Sequence, residues 1–203
     1  MNNDSVNDWI GLVGCEESQK VTAAFREHGF TMFSCDIQPT RGKPEWHICA
    51  DIMTVIPTRR WNLIILHPDC TAMALSGNRW YGRNCQRYSD RVAAVEWTLN
   101  LAELAQQHSD KVVIENPASV IFPELRKLGW YVQYIQPYQY GHGEVKKTGL
   151  ALHNVNPLTP TDEVDGREPR IWKMPPSKNR KRDRSETYSG IAKAFASQWG
   201  AAS

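Results

Sequence analysis

The run Leu63-Ile64-Ile65-Leu66-His67-Pro68-Asp69-Cys70-Thr71 is apolar over a strand's length, stops at a proline and carries a cysteine two residues later. Further along, Val112-Val113-Ile114-Glu115-Asn116-Pro117 ends in the same way, with a carboxyl side chain just before its stop. In a parallel sheet, side chains just past the carboxyl ends of the strands converge on one crevice. A thiol and a carboxyl delivered there by two rigid strands form a nucleophile and acid pair, which suits covalent catalysis on an electron-poor ring. In isolation Cys70 would read as a buried structural thiol, the commoner fate of a free cysteine. Its place after a strand-ending proline, together with Glu115-Asn116-Pro117, favours the nucleophile.

The hydrophobic pattern gives the elements that must hold these two strand ends. Residues 9–14 predict a short buried strand, followed by a helix that starts at Glu17 or Ser18, is carried by Val21, Ala24 and Phe25, and stops at His28-Gly29. Residues 31–36 predict a second strand that ends in Asp36, Asp51 and Ile52 lie in a third, weaker unit, and 61–66 form the strand before Cys70. Residues 91–107 give the clearest helix, with Val92, Val95, Leu99, Ala102 and Ala105 at helical spacing. Strands follow at 111–114, 130–135 and 150–152, with a short helix over 123–128 ended by Gly129 and a closing helix over 191–196. Alternation of helices with short, wholly apolar strands predicts an α/β fold with a mostly parallel sheet and helices on both faces. The expected organisation is a frayed N-terminus over 1–8, one α/β domain over 9–156, a basic extended loop over 157–184, and a closing helix within 185–203.

Composition narrows the class. A chain of 203 residues fits one domain, or one with a small appendage. Its five cysteines are an odd number without a Cys-x-x-Cys spacing, which argues against a disulfide framework or a structural zinc site. His47, His67 and His142 are scattered, so ordinary polar roles are expected of them and no metal. Cys15 and Cys35 read as packing residues. There is no basic-then-apolar leader and no run near the ~20 apolar residues that span a bilayer, so the expectation is a soluble protein of a reducing cytoplasm, without membrane contact. A net charge of +2 identifies no partner, although Lys178, Arg180, Lys181, Arg182 and Arg184 gather near the C-terminus, as a solvated loop or a grip on phosphates.

The first strand-to-helix turn is Val13-Gly14-Cys15-Glu16-Glu17-Ser18. Gly14 would let a ligand approach the backbone. Two glutamates would repel a pyrophosphate, which disfavours a dinucleotide and suits a cofactor with a cationic centre. Asp36 stands where α/β nucleotide binders place an acid for ribose hydroxyls, and Asp51 is an acceptor for an adenine amino group. Each acid alone reads as a turn or cap residue; at successive strand ends they suggest S-adenosylmethionine (SAM).

The chain resembles a family in this order of features. Cys15-Glu16-Glu17-Ser18-Gln19, Ser34-Cys35-Asp36-Ile37, Glu45-Trp46-His47, Ser76-Gly77-Asn78-Arg79-Trp80, Glu115-Asn116-Pro117, Gln136-Pro137-Tyr138-Gln139-Tyr140-Gly141-His142 and Gly190-Ile191-Ala192-Lys193-Ala194 are similar to the motifs of DNA cytosine-5 methyltransferases, in particular a short branch of phage and prophage type. The resemblance implies a Rossmann-like SAM-dependent methyltransferase fold, DNA as substrate, and a bacterial host cell. It implies that Cys70 attacks C6 of a flipped-out cytosine, that Glu115 holds N3 and the amino group, and that Lys146 and Lys147 are a basic pair facing the base. Lys147 is then catalytic beside Cys70 and Glu115, while Lys146, Ser76, Asn78, Arg79, Asn116 and Pro117 touch the substrate. Gly14, Cys15, Glu16, Asp36, Ile37, Asp51, Ile52 and Pro68 are placed at the cofactor, with Ser185 and Thr187 completing its pocket. Arg79, Trp80, Tyr81 and Arg83 are suited to stack on a base or fill its gap, or else to cap the core.

Two departures stand out. The wider family has Pro-Pro-Cys-Gln where this chain has Pro68-Asp69-Cys70-Thr71, and an acid beside a thiol raises its pKa. The long block that forms the target recognition domain of larger enzymes is missing between Glu115 and the closing helix, so no separate recognition domain is expected. These motivate two other readings: an enzyme acting on RNA, single-stranded DNA or a nucleotide, and a non-catalytic binding protein on the same scaffold.

Overall fold

The computed structural model describes residues 9–175, 177 and 180–200, so the expected frayed segment 1–8 and Lys178 of the basic run lie outside the described residues. Seven strands form one sheet: β1 (Ile10–Gly14), β2 (Thr31–Asp36), β3 (His47–Cys49), β4 (Leu63–Leu66), β5 (Val112–Pro117), β6 (Tyr131–Ile135) and β7 (Thr148–His153). Their order is β3-β2-β1-β4-β5-β7-β6. The first five run parallel in the 3-2-1-4-5 order of a Rossmann-like sheet, and β7 alone is reversed, antiparallel to β5 and to β6. The switch of direction between β1 and β4 opens a crevice at their carboxyl ends, the usual ligand position in such sheets.

The central strands are buried on both faces because helices cover both. On one side α2 (Ile52–Val55), α4 (Tyr88–His108) and α5 (Ile121–Lys127) pack on Leu12, Ile64, Leu66, Val112 and Ile114. On the other side α1 (Lys20–Glu27) and α8 (Ser189–Trp199) pack on Val13, Leu63, Ile65 and Val113. The expected fold class, a mostly parallel α/β sheet covered on both faces, is therefore present. A short α3 (Asn78–Tyr81) precedes α4, and α6 (Arg170–Lys173) and α7 (Arg180–Ser185) precede α8.

Local differences have physical causes. The buried face of α4 is Arg91, Thr98, Leu101, Ala102 and Ala105, whereas Val92 is 47% exposed. The helical spacing is right, but Arg91 turns inward to bind carbonyls and rotates the face away from Val92. The segment 157–184 is not wholly extended, since it contains α6 and α7. Helix α1 begins at Lys20 because Gln19 adopts a left-handed conformation, φ 57°. Among the described residues no helix is long and apolar enough to cross a membrane, and no group of three or more His, Cys, Asp or Glu is placed to hold a metal.

Candidate active site

Strand β4 leaves the sheet through His67, whose backbone N–H still bonds Gly14 O (3.0 Å) in the β1 ladder. Leu66 lies beside Ile114 in the parallel register, so the next residues, His67 and Glu115, meet side by side. His67 Nδ1 and Glu115 Oε2 are 2.9 Å apart, with only 11% and 12% of the two side chains exposed. The loop that follows is held from two sides. Asn116 Nδ2 donates to Pro68 O (2.9 Å), and Arg91 donates to Ala72 O (2.7 Å), Ala74 O (3.3 Å) and Asn78 Oδ1 (2.8 Å). Asp69 Oδ1 accepts from the backbone N–H (2.9 Å) and hydroxyl (2.5 Å) of Thr71, an Asx turn that places Cys70 at the head of the loop. Cys70 O in turn accepts from Met73 N and Ala74 N.

Three charged groups act on the Cys70 thiol. Burial raises its pKa, Glu115 and then Asp69 raise it further, and Lys146 pulls it down. Burial lowers the pKa of Lys146, against the attraction of Glu115 and Cys70. Burial favours a neutral Glu115, but the hydrogen bond and charge of His67, aided by Lys146, hold it below the usual carboxylate range. Burial likewise favours a neutral His67, yet Glu115 and then Glu16 outweigh it and hold the imidazole above its usual range. Cys70, Glu115, His67 and Lys146 thus form one electrostatically coupled cluster at the carboxyl ends of β4 and β5 and the entry to β7.

Beside it lies a cleft of about 680 Å3, within the range of pockets that take a small-molecule cofactor. Cys15, Asp36, Ile37, Asp51, Ile52, His67, Asp69, Trp97, Arg182 and Ser185 are among its lining residues. Asp36 Oδ1 caps the turn through Gln38 N (2.9 Å), and Asp51 Oδ1 caps α2 through Met53 N (2.9 Å). Ile37 is 76% exposed, an apolar surface that a planar ring would cover. Burial pushes the Cys15 thiol up to about 12, with Asp36 adding to the shift. The cleft reaches His67 and Asp69, and so abuts the Cys70 loop.

The structure separates the expected site residues into two groups. Cys70, Glu115 and Lys146 come together, and Cys15, Asp36, Ile37, Asp51, Ile52 and Ser185 line the cleft. Others fall elsewhere. Lys147 is exposed and lies over the Tyr134 ring (4.4 Å), since adjacent residues entering a strand point to opposite sides. Glu16 is buried and caps α1, accepting from Val21 N (2.6 Å) and from the Thr22 hydroxyl (2.7 Å). Gly14 is enclosed by protein, with an added Cβ falling 2.7 Å from Leu66 and 2.8 Å from Ile52. Pro68 and Asn116 are buried scaffold of the loop. Pro117 ends β5 against Thr148, and Thr187 lies in the turn between α7 and α8. Asn78 is bound to Arg91, Ser76 is exposed, and Arg79 stacks on Trp80 (5.1 Å).

Two acids of the first turn are neutralised differently from the simple repulsion argument. Glu16 is buried at α1, and Glu17 is paired with Arg41 (2.7 Å), which also pairs with Glu186 (2.6 Å). The acceptors left to the cleft are mainly Asp36 and Asp51. His67, expected in an ordinary polar role, and Arg91, expected as the start of a helix, were not assigned to the site from sequence. The signal for His67 was its position one residue after an apolar run, opposite the acid one residue after the next run.

No family model matches the chain, and no curated protein does. Solved structures of similar topology exist. The chain is similar to the methyltransferase EhMeth of Entamoeba histolytica, at 12% identity and TM-score 0.49, over 79% of this chain and 56% of that one. It is similar to Dnmt2 methyltransferase of S. pombe, at 16% identity and TM-score 0.45, over 73% and 51% of the two chains. It is also similar to an E. coli prophage protein assigned as a DNA modification methyltransferase, at 8% identity and TM-score 0.46, over 71% and 46%. The chain spans about half the length of these proteins.

Proposed function

We propose that the chain is a SAM-dependent methyltransferase acting on C5 of cytosine in DNA. The observation that carries this reading is the convergence of Cys70, Glu115 and Lys146 next to a cleft lined by Asp36 and Asp51. The cleft suits SAM by its chemistry: Asp36 and Asp51 are acceptors for ribose hydroxyls and an amino group, and Ile37 with Ile52 offers an apolar seat for a ring. SAM held there supplies an electrophilic methyl group on a sulfonium.

The chain's own residues prepare the base. Cytosine C5 is inert until C6 carries a nucleophile, so Cys70 Sγ bonds to C6 as thiolate. Lys146 favours that thiolate, because its ammonium lowers the thiol pKa against burial and the two acids. Glu115 holds N3 and the exocyclic amino group, so that electron density pushed in at C6 is received by the ring and offered at C5. When C5 later loses its proton, the C6–S bond breaks and the thiolate leaves.

Nucleic acid suits the surface around the loop. Leu75, Trp80 and Tyr88 are exposed there, with Arg79 over Trp80 and Arg87 over Tyr81 (4.5 Å). Aromatic rings stack on unpaired bases and arginines meet phosphates. One observation favours a second substrate: among the described residues no separate unit lies between β5 and α8 to read a duplex sequence. RNA or single-stranded DNA is therefore the alternative. The test is mass spectrometry of nucleosides from DNA and RNA incubated with the protein and SAM. New 5-methylcytosine that is absent with Cys70→Ala supports the reading, and its absence from every substrate refutes it. A protein that does not bind SAM by calorimetry would be a binding protein on this scaffold instead.

A further inference from the structure

Cys70 and Glu115 account for addition and for holding the ring, but they leave a question of protons. A carboxylate accepts hydrogen bonds and cannot donate one to N3 of cytosine, whose lone pair needs a proton as charge arrives. Glu115 has a buried partner that can supply it. His67 Nδ1 lies 2.9 Å from Glu115 Oε2, and both side chains are about nine-tenths enclosed. Because the ionised carboxylate is an acceptor only, Nδ1 must carry the hydrogen in this contact. His67 Nε2 is buried and has no hydrogen-bond partner among the described residues. A neutral imidazole gains nothing from that surrounding, whereas a second carboxylate, Glu16 at the head of α1, is near enough for its charge to act on the ring.

We propose that His67 is a positioning residue that serves Glu115 as a proton reservoir. This rests on the methyltransferase reading of the site. As Cys70 Sγ forms its bond to C6, the C5=C6 pair moves to C4–C5 and the C4=N3 pair moves onto N3. N3 takes a proton from Glu115, which takes one from His67 Nδ1, leaving a neutral imidazole between two acids. C5 then bonds to the methyl group through the C4=C5 pair, the methyl–sulfur pair stays on the departing sulfur, and the N3 pair re-forms C4=N3. On elimination a solvent base takes the C5 proton, the C5–H pair re-forms C5=C6, the C6–S pair returns to sulfur, and the N3 proton goes back through Glu115 to His67. No proton is gained or lost by the pair over the cycle.

The charges that face His67 come from three elements. Glu115 on β5 and Glu16 before α1 hold the imidazolium, and Lys146 before β7 opposes it. The pair is therefore charged at rest, and a base entering between Glu115 and Lys146 draws the proton outward.

Two measurements on the full-length protein test this. The first is an NMR titration of the His67 imidazole in the wild type and in Glu115→Gln. The expected result is titration above the ordinary 6.5, falling when the carboxylate is removed. A His67 that is neutral through pH 6–7, or unmoved by Glu115→Gln, overturns the proposal. The second uses His67→Asn, which keeps a donor near the Nδ1 position but cannot titrate. SAM affinity and KM are expected to stay within about threefold, while kcat falls ~10–100-fold and the pH–rate limb of His67 disappears. His67→Gln checks that the loss does not come from one poorly fitting variant, and thermal unfolding checks that both are folded. An active wild type with an indifferent His67→Asn overturns this role alone. A wild type that methylates no pyrimidine overturns the methyltransferase reading, and this role with it.

Discussion

The cleft beside β1 and β2 and the cluster beside β4 and β5 sit at the same edge of one sheet but are built on opposite lines. In the cleft, half-buried Asp36 and exposed Asp51 spend one oxygen each on a turn or helix cap. In the cluster, His67 and Glu115 are enclosed, and each group's charge state depends on its neighbours. On the proposed reading the cleft holds a ligand through acceptors that are already formed, and the cluster changes protonation, because between enclosed groups small displacements of charge act strongly. Binding and chemistry are thereby separable, and mutations should divide along the same boundary.

The largest expected break is Cys70→Ser. Methyl transfer should fall by at least ~10⁴-fold, while SAM binding by calorimetry is unchanged. Next comes the lysine pair. Lys146→Met removes the cation acting on Cys70 and Glu115, and kcat should fall ~10²–10³-fold with the pH optimum displaced upward. Lys147→Met removes a contact with Tyr134 and should change kcat less than about threefold.

Arg91→Ala sharpens the comparison from the scaffold side. Arg91 binds two carbonyls and Asn78 from a nearly buried position, so its loss should destabilise the protein by about 2–4 kcal/mol in urea titration. The 70–78 loop should also become a site of limited proteolysis.

The His67–Glu115 pair should give stability a pH dependence. His67 is held above its ordinary 6.5, so its contribution is full below that value and is lost as pH rises through its folded pKa. Glu115 is held below its ordinary 4.5, so its contribution is present above that value and is lost as pH falls through its folded pKa. The window for both is between these two values. The stability difference between wild type and His67→Asn, on the order of 1–2 kcal/mol, should be widest there and should shrink in alkali. Smallest is Arg41→Ala at the cleft rim. It breaks half-exposed pairs with Glu17 and Glu186, so less than ~1 kcal/mol is expected in thermal unfolding, decreasing with salt.

Much of the scaffold was legible because its signals are local. The β2 run 31–36 carries Met32, Phe33 and Cys35 up to its terminal acid, and the stops at Gly29 and Gly129 are glycines with φ of 85° and 86°. The reversal of β7 was not legible, because a buried strand has the same apolar pattern in either direction. Cys70 and Glu115 could be read from two similar strand ends. His67 could not be paired with Glu115 without the β4–β5 register, which fixes neighbours across 48 residues. Lys146 and Lys147 were indistinguishable in sequence, since only the direction of entry into β7 decides which one turns inward. Arg91 was read as the start of a helix, and its inward turn depends on free carbonyls at Ala72 and Ala74.

The central claim, that Cys70 bonds to a pyrimidine held by Glu115, is tested most directly by trapping. The protein is incubated with SAM and cytosine-containing DNA bearing 5-fluorocytosine, whose C5–F bond blocks elimination, and then digested for peptide mass mapping. The expected result is an adduct on the peptide carrying Cys70, stable to denaturant and absent with Cys70→Ala. A full-length, SAM-binding protein that forms no adduct, or forms one that survives Cys70→Ala, would contradict the account.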